Sequence, residues 1–166
     1  MRNFCLTTSI AVFLLICFNG LQAQITQKTL NQVELMKQLY GTWKIDFNKD
    51  TTSIWHMNSY GTGLEVNYIL AAKGETYLEA KQLWGYDEKI DKYIVVQMIK
   101  GMGIEFYALW FTSNNKYIML PYSDISNSEK ASVKWEAEFK SPDVCVETYS
   151  VKNKPIKTYS IIRVKQ

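Results

Sequence analysis

Residues 39–48 read Leu-Tyr-Gly-Thr-Trp-Lys-Ile-Asp-Phe-Asn. The largest apolar side chain, Trp43, stands two positions after Gly41. From there apolar and polar residues alternate, with Trp43, Ile45 and Phe47 on one face and Lys44, Asp46 and Asn48 on the other. Alternation with period two marks a strand buried on one face and wet on the other. A glycine just ahead of it lets the chain leave one element and enter the next without a Cβ in the way. The stretch is therefore a boundary, with a different element before Gly41 and a β region after it.

Upstream, Thr29-Leu30-Asn31-Gln32 has the spacing of a capping box. Leu30, Val33, Met36 and Leu39 follow at helical intervals. The spacing predicts one short amphipathic helix over 29–39. Further back, Arg2, the apolar run Phe4 to Phe18, and Leu21-Gln22-Ala23 form the pattern of a secretory signal peptide, with cleavage expected after Ala23. The run is too short for a membrane span, and no later stretch approaches the roughly 20 apolar residues that a span needs. Lipid anchoring through Cys17 is the alternative. Against it, bulky Ile16 stands where such signals carry a small residue. The expected location is secreted or periplasmic.

Downstream, the period-two pattern persists to the end. Lys134-Trp135-Glu136-Ala137-Glu138-Phe139-Lys140 alternates without a fault. Gly and Asn recur in the turns Asn48-Lys49-Asp50, Tyr60-Gly61-Thr62-Gly63, Lys73-Gly74, Lys100-Gly101 and Ser113-Asn114-Asn115, where tight hairpins need them. Further breaks fall at 85–91, 121–129, 141–143 and 152–155. The strands predicted between them are 42–47, 52–59, 64–72, 75–84, 92–99, 104–112, 116–120, 131–140, 144–151 and 156–164. An antiparallel meander of this length has to curl, and closing removes its exposed edges. The expected fold is all-β, an antiparallel up-and-down barrel of about 8–10 strands with a short N-terminal helix.

A short helix, then Gly41-Thr42-Trp43 opening the first strand, then an up-and-down meander resembles the calycins, the lipocalins and fatty-acid-binding proteins. The resemblance implies that Trp43 closes one end of the barrel. It also implies that a basic residue from the last strand packs across the Trp43 ring. Arg163, in Tyr159-Ser160-Ile161-Ile162-Arg163-Val164, stands where that residue is expected. Secretion and the leading helix resemble the bacterial-type lipocalin-like branch. The strand count is closer to the fatty-acid-binding branch, yet the helical lid expected between its first two strands is missing. The expected organisation is a signal peptide at 1–23, a segment with the helix at 24–40 and the barrel at 41–166.

The chemistry-bearing residues are sparse. The chain has 19 Lys and Arg against 16 Asp and Glu, and the basic residues are scattered. That argues against nucleic acid, which calls for a concentrated basic face. Cys5 and Cys17 leave with the signal peptide. Cys145 then stands alone between Val144 and Val146 and reads as a small buried hydrophobe, with a reactive thiol as the alternative. The single His, His56, has no Gly-x-Ser-x-Gly elbow to serve. One His and one Cys do not make a structural zinc site. Asp87-Glu88-Lys89-Ile90-Asp91 is interleaved with lysines and reads as a solvated hairpin rather than a calcium loop. No metal or cofactor is expected.

The barrel interior remains. Trp43, Ile45, Phe47, Val66, Tyr68, Val95, Phe106, Ala108, Trp135, Ala137 and Phe139 are predicted to face inward, with polar groups from His56, Gln82, Gln97 and Tyr107. The candidate ligand-binding set is His56, Tyr68, Gln82, Gln97, Phe106, Tyr107, Trp135 and Phe139. The expected partner is a small apolar or amphipathic molecule. A barrel filled solid by its aromatic side chains is the opposing possibility. Two rival functions remain: a protein-interaction module using the apolar strand 104–112, and a small-molecule isomerase or cyclase using His56 and Tyr107.

Overall fold

The alternation that starts at Thr42 is realised as strand after strand. The structure, a computed structural model, describes residues 30–165. The predicted signal segment 1–23 and its Cys17 lie outside the described residues, as does Thr29. The chain enters through helix α1 (Gln32–Met36) and a 3-10 turn (Lys37–Leu39). Ten strands follow: β1 (Gly41–Asn48), β2 (Thr51–Tyr60), β3 (Gly63–Ala72), β4 (Glu75–Asp87), β5 (Lys92–Ile99), β6 (Gly103–Ser113), β7 (Lys116–Pro121), β8 (Val133–Ser141), β9 (Val144–Val151) and β10 (Lys154–Val164). Each pairs antiparallel with the next, and β10 returns to β1, so the sheet is a closed barrel. Closure gives every strand a neighbour on both sides, with β1 and β10 joined through three residue pairs.

The helix is shorter than the predicted 29–39 and takes a different cap. Asn31 is the N-cap, and its side chain accepts the Glu34 N–H at 3.1 Å. Gln32 is turned to the barrel wall. Its amide donates to the Phe111 carbonyl at 3.1 Å and accepts the Phe111 N–H at 2.7 Å. This two-point clasp occurs where β6 bulges between Phe111 and Ser113, and it fastens the helix to the wall. The region 121–129, expected as a break, holds a 3-10 segment (Tyr122–Lys130) interrupted at Asn127.

The far end of the helix explains the Gly-Thr-Trp stretch. Helix C-termini leave carbonyls without partners. Here Trp43 Nε1 donates to the Leu39 carbonyl at 2.8 Å. Arg163 donates to the carbonyls of Gln38 at 2.8 Å, Pro142 at 3.0 Å and also Tyr40. The guanidinium carbon sits 4.1 Å from the centroid of the Trp43 ring, and Trp43 pairs with Arg163 across the β1–β10 ladder. Gly41 adopts φ +112°, and a Cβ there would come within 2.9 Å of Arg163 Nη1. The residue must therefore be glycine on two counts. Trp43, with Met36 and Leu39 of the helix, belongs to the buried core and stops this end of the barrel.

The register decides which side chains face in. Trp43 pairs with Trp55, and Trp55 with Tyr68, so these rings share the interior. His56 is thereby turned outward, correcting the expectation that it faces in; it is exposed and its Nδ1 lies 3.0 Å from Thr42 Oγ1. On β6, Tyr107 and Leu109 line the interior, which places Phe106 and Ala108 outside. Both were expected inside. Adjacent residues of a regular strand cannot share a face, and the run Phe106 to Phe111 is apolar at both parities, so periodicity alone could not choose. Phe106 is 54% exposed. Ala108, with Leu120, is buried on the outer face, where the segment Tyr122–Lys130 contacts β6 and β7.

Candidate functional site

The interior is not filled solid. Between the core around Trp43 and the opposite end, the barrel holds a partly open cavity of about 300 Å³. Its wall carries Trp43, Trp55, Met57, Leu109, Met119 and Trp135. Leu78 and Ile99, near the ends of β4 and β5 remote from the helix, also line it. Of the predicted candidate set, Tyr68, Gln82, Gln97, Tyr107 and Trp135 lie in this wall. Phe139 packs beneath it, edge-on to Trp43 at 5.9 Å and stacked on Phe111 at 6.5 Å between centroids. Phe106 and His56 are on the outside of the barrel, so His56 and Tyr107 do not converge.

One side of the wall is polar and internally connected. Trp84 Nε1 donates to Gln82 Oε1 at 2.7 Å. Gln82 Nε2 donates to Gln97 Oε1, and Gln97 Nε2 donates to Glu105 Oε2 at 2.8 Å. Tyr107 closes the series, its hydroxyl donating to the same Glu105 oxygen at 2.5 Å. The register makes the row, because Val66, Gln82, Gln97 and Glu105 are successive cross-strand partners. Burial, with the Glu105 carboxylate second, pushes the Tyr107 hydroxyl well above the usual phenol range, so it stays a proton donor.

Across the ladder from Ala137 and Tyr159 stands Glu147 on β9. It lines the cavity beside Cys145. Among the described residues its carboxylate has no hydrogen-bond partner and no ion-pair partner, and burial alone pushes its pKa up to about 7. The groups that feel its charge are Tyr68 on β3, Tyr117 on β7, Cys145 on β9 and Tyr159 on β10. Burial raises the pKa of each of them, Cys145 to about 12, so all four are uncharged near neutral pH. Glu147 was not among the predicted site residues. A signal was present, since Cys145 read as buried and strand parity carries 145, 147 and 149 to one face.

On the outside, Leu83, Val96 and Phe106 form one cross-strand row, and Met98 and Ile104 pair in the next. Met98 is 59% and Ile104 58% exposed. Among the described residues there is no cluster of His, Cys, Asp and Glu that could hold a metal ion, and no helix long and apolar enough to cross a membrane.

No family model matches this chain, and no curated protein matches it. Fold and cavity together define the class, a closed ten-stranded antiparallel barrel with a chamber inside.

Proposed function

We propose that the protein is an exported, lipocalin-like barrel that takes up a small, mainly apolar molecule in its chamber. The observation that carries this reading is the cavity of about 300 Å³ walled by Trp55, Met57, Leu109, Met119 and Trp135, with hydrogen-bonding groups confined to a few positions. Small-molecule sites are built this way, apolar area supplying affinity and a few polar groups setting orientation. The Trp43–Arg163 stack at the helix end supports the calycin likeness, and the leader-like segment 1–23 supports export. Native mass spectrometry of the protein, expressed from the full-length sequence and purified gently, tests it. Extra mass lost on denaturation is expected. A clean mass, together with Trp emission that no apolar probe shifts, would refute it.

A second reading rests on the exposed row Leu83, Val96 and Phe106 with Met98 and Ile104. Apolar side chains contiguous on a sheet face favour a protein contact there. Phe106→Glu should then abolish association with that partner while leaving probe uptake intact. A wild-type protein that binds no apolar dye on its surface would argue against the contact.

A further inference from the structure

A carboxylate in an apolar chamber is costly unless something answers its charge. Glu147 has no answering group among the described residues. Lys157 of β10 stands on the same strand face as Tyr159, its Nζ 5.1 Å from that ring's centroid and 6.0 Å from that of Phe47, and it is exposed and makes no ion pair with Glu147. The groups facing Glu147 from β3, β7, β9 and β10 are the uncharged Tyr68, Tyr117, Cys145 and Tyr159. On β8 the residue opposite is Ala137, whose small side chain leaves room, with Trp135 next to it on the same face. Trp135 in turn packs on Tyr149 at 5.4 Å and Tyr107 at 5.6 Å between centroids. An acid without an ion-pair partner, set among aromatic faces, is chemistry suited to an organic cation. The carboxylate supplies the opposite charge, and ring faces attract an alkylammonium through their negative π surface.

Building on the chamber reading above, we propose that the ligand is an organic ammonium ion on an apolar body, and that Glu147 pairs with its charge. The Gln82–Gln97–Glu105 row lies on strands β4 to β6, away from β9, and would meet the other end of the molecule.

The test uses full-length protein freed of any co-purified compound. Three probes of one shape are titrated at pH 8: phenethylammonium, 2-phenylethanol and phenylacetate. Trp fluorescence and calorimetry report binding. The ammonium is expected to bind at least about tenfold more tightly than the alcohol, with phenylacetate weakest. Glu147→Gln, which keeps the volume and removes the charge, should erase that preference. Thermal melting verifies that the variant is folded. The preference should also shrink from pH 8 to pH 5.5 in the wild type, as the carboxylate takes up a proton. Equal binding of ammonium and alcohol by the wild type would overturn the cation assignment and leave the chamber reading standing. So would a preference that survives in Glu147→Gln. If none of the three probes binds, the chamber reading falls with it.

Discussion

Arg163 shows how much one side chain can hold. Its guanidinium answers the carbonyls of Gln38, Tyr40 and Pro142 and lies on the Trp43 ring. Arg163→Ala should cost about 2 to 4 kcal/mol, because it strands those carbonyls and removes the cation–π contact. Arg163→Lys should recover little, since an ammonium cannot reproduce the planar fork. Denaturant midpoints check both. Gly41→Ala places a Cβ against the same guanidinium at a φ that L residues rarely adopt, with an expected loss of about 1 to 3 kcal/mol by the same measurement. Glu147 carries the opposite kind of prediction. Its folded pKa of about 7 stands above the ordinary 4.5. Between these values the folded state binds more protons than the unfolded one, so stability falls as pH rises through the window. Glu147→Gln should match the wild type near pH 4 and exceed it above pH 7, by up to about 3 kcal/mol. Melting curves at the two pH values decide it. A wild-type stability that rises from pH 5 to pH 7 without a matching rise in the variant would contradict the assignment.

At the scale of elements, the helix is too short to stand by itself. Five residues of α-helix and one 3-10 turn lie far below the length at which isolated helices hold in water. What holds it is the clasp of Gln32 on Phe111, the packing of Met36 and Leu39 into the core, and the capture of its last carbonyls by Trp43 and Arg163. Gln32→Ala should leave the Phe111 N–H and carbonyl without that partner in a buried place, at a cost of about 2 to 3 kcal/mol. Hydrogen exchange at the Phe111 amide should accelerate in the variant. An unchanged exchange rate would mean that the clasp does not bear on the wall. The strands behave differently, because each is held on both sides by a ladder and needs no such fastening.

For the molecule as a whole, the barrel closes through β1 and β10, the first and last strands. The core and the cavity therefore depend on contacts between strands far apart in the sequence. Cys145, buried in this interior, reports on the closure. Burial, with Glu147 nearby, pushes its thiol up to about 12, so Cys145 should resist a thiol-reactive dye at pH 8 in the native state and react when the protein is unfolded. Reaction in the native protein would show that the wall opens between β8 and β9 or from the chamber. The outer row Leu83, Val96 and Phe106 belongs to this scale as well. It is apolar without being core, because the barrel has only one inside and β6 carries apolar residues on both faces.

The sequence by itself determined the local pattern. Period-two alternation and turns rich in Gly and Asn marked all ten strands, because strand parity and positive-φ turns are properties of neighbours in the chain. Trp43 and Arg163 were legible through their places at the first and last strand. Other features were decided only by the tertiary structure. The inward face of β6 was settled by its register against β5 and β7, since either parity of Phe106 to Phe111 is apolar. His56 was turned outward by the pairing of Trp43 with Trp55. Glu147 became an acid without an ion-pair partner among the described residues only when closure brought Tyr68, Tyr117 and Tyr159 around it. A charge on a strand reads as wet in one dimension. Whether bulk water or the chamber faces it depends on which strands the closure sets opposite.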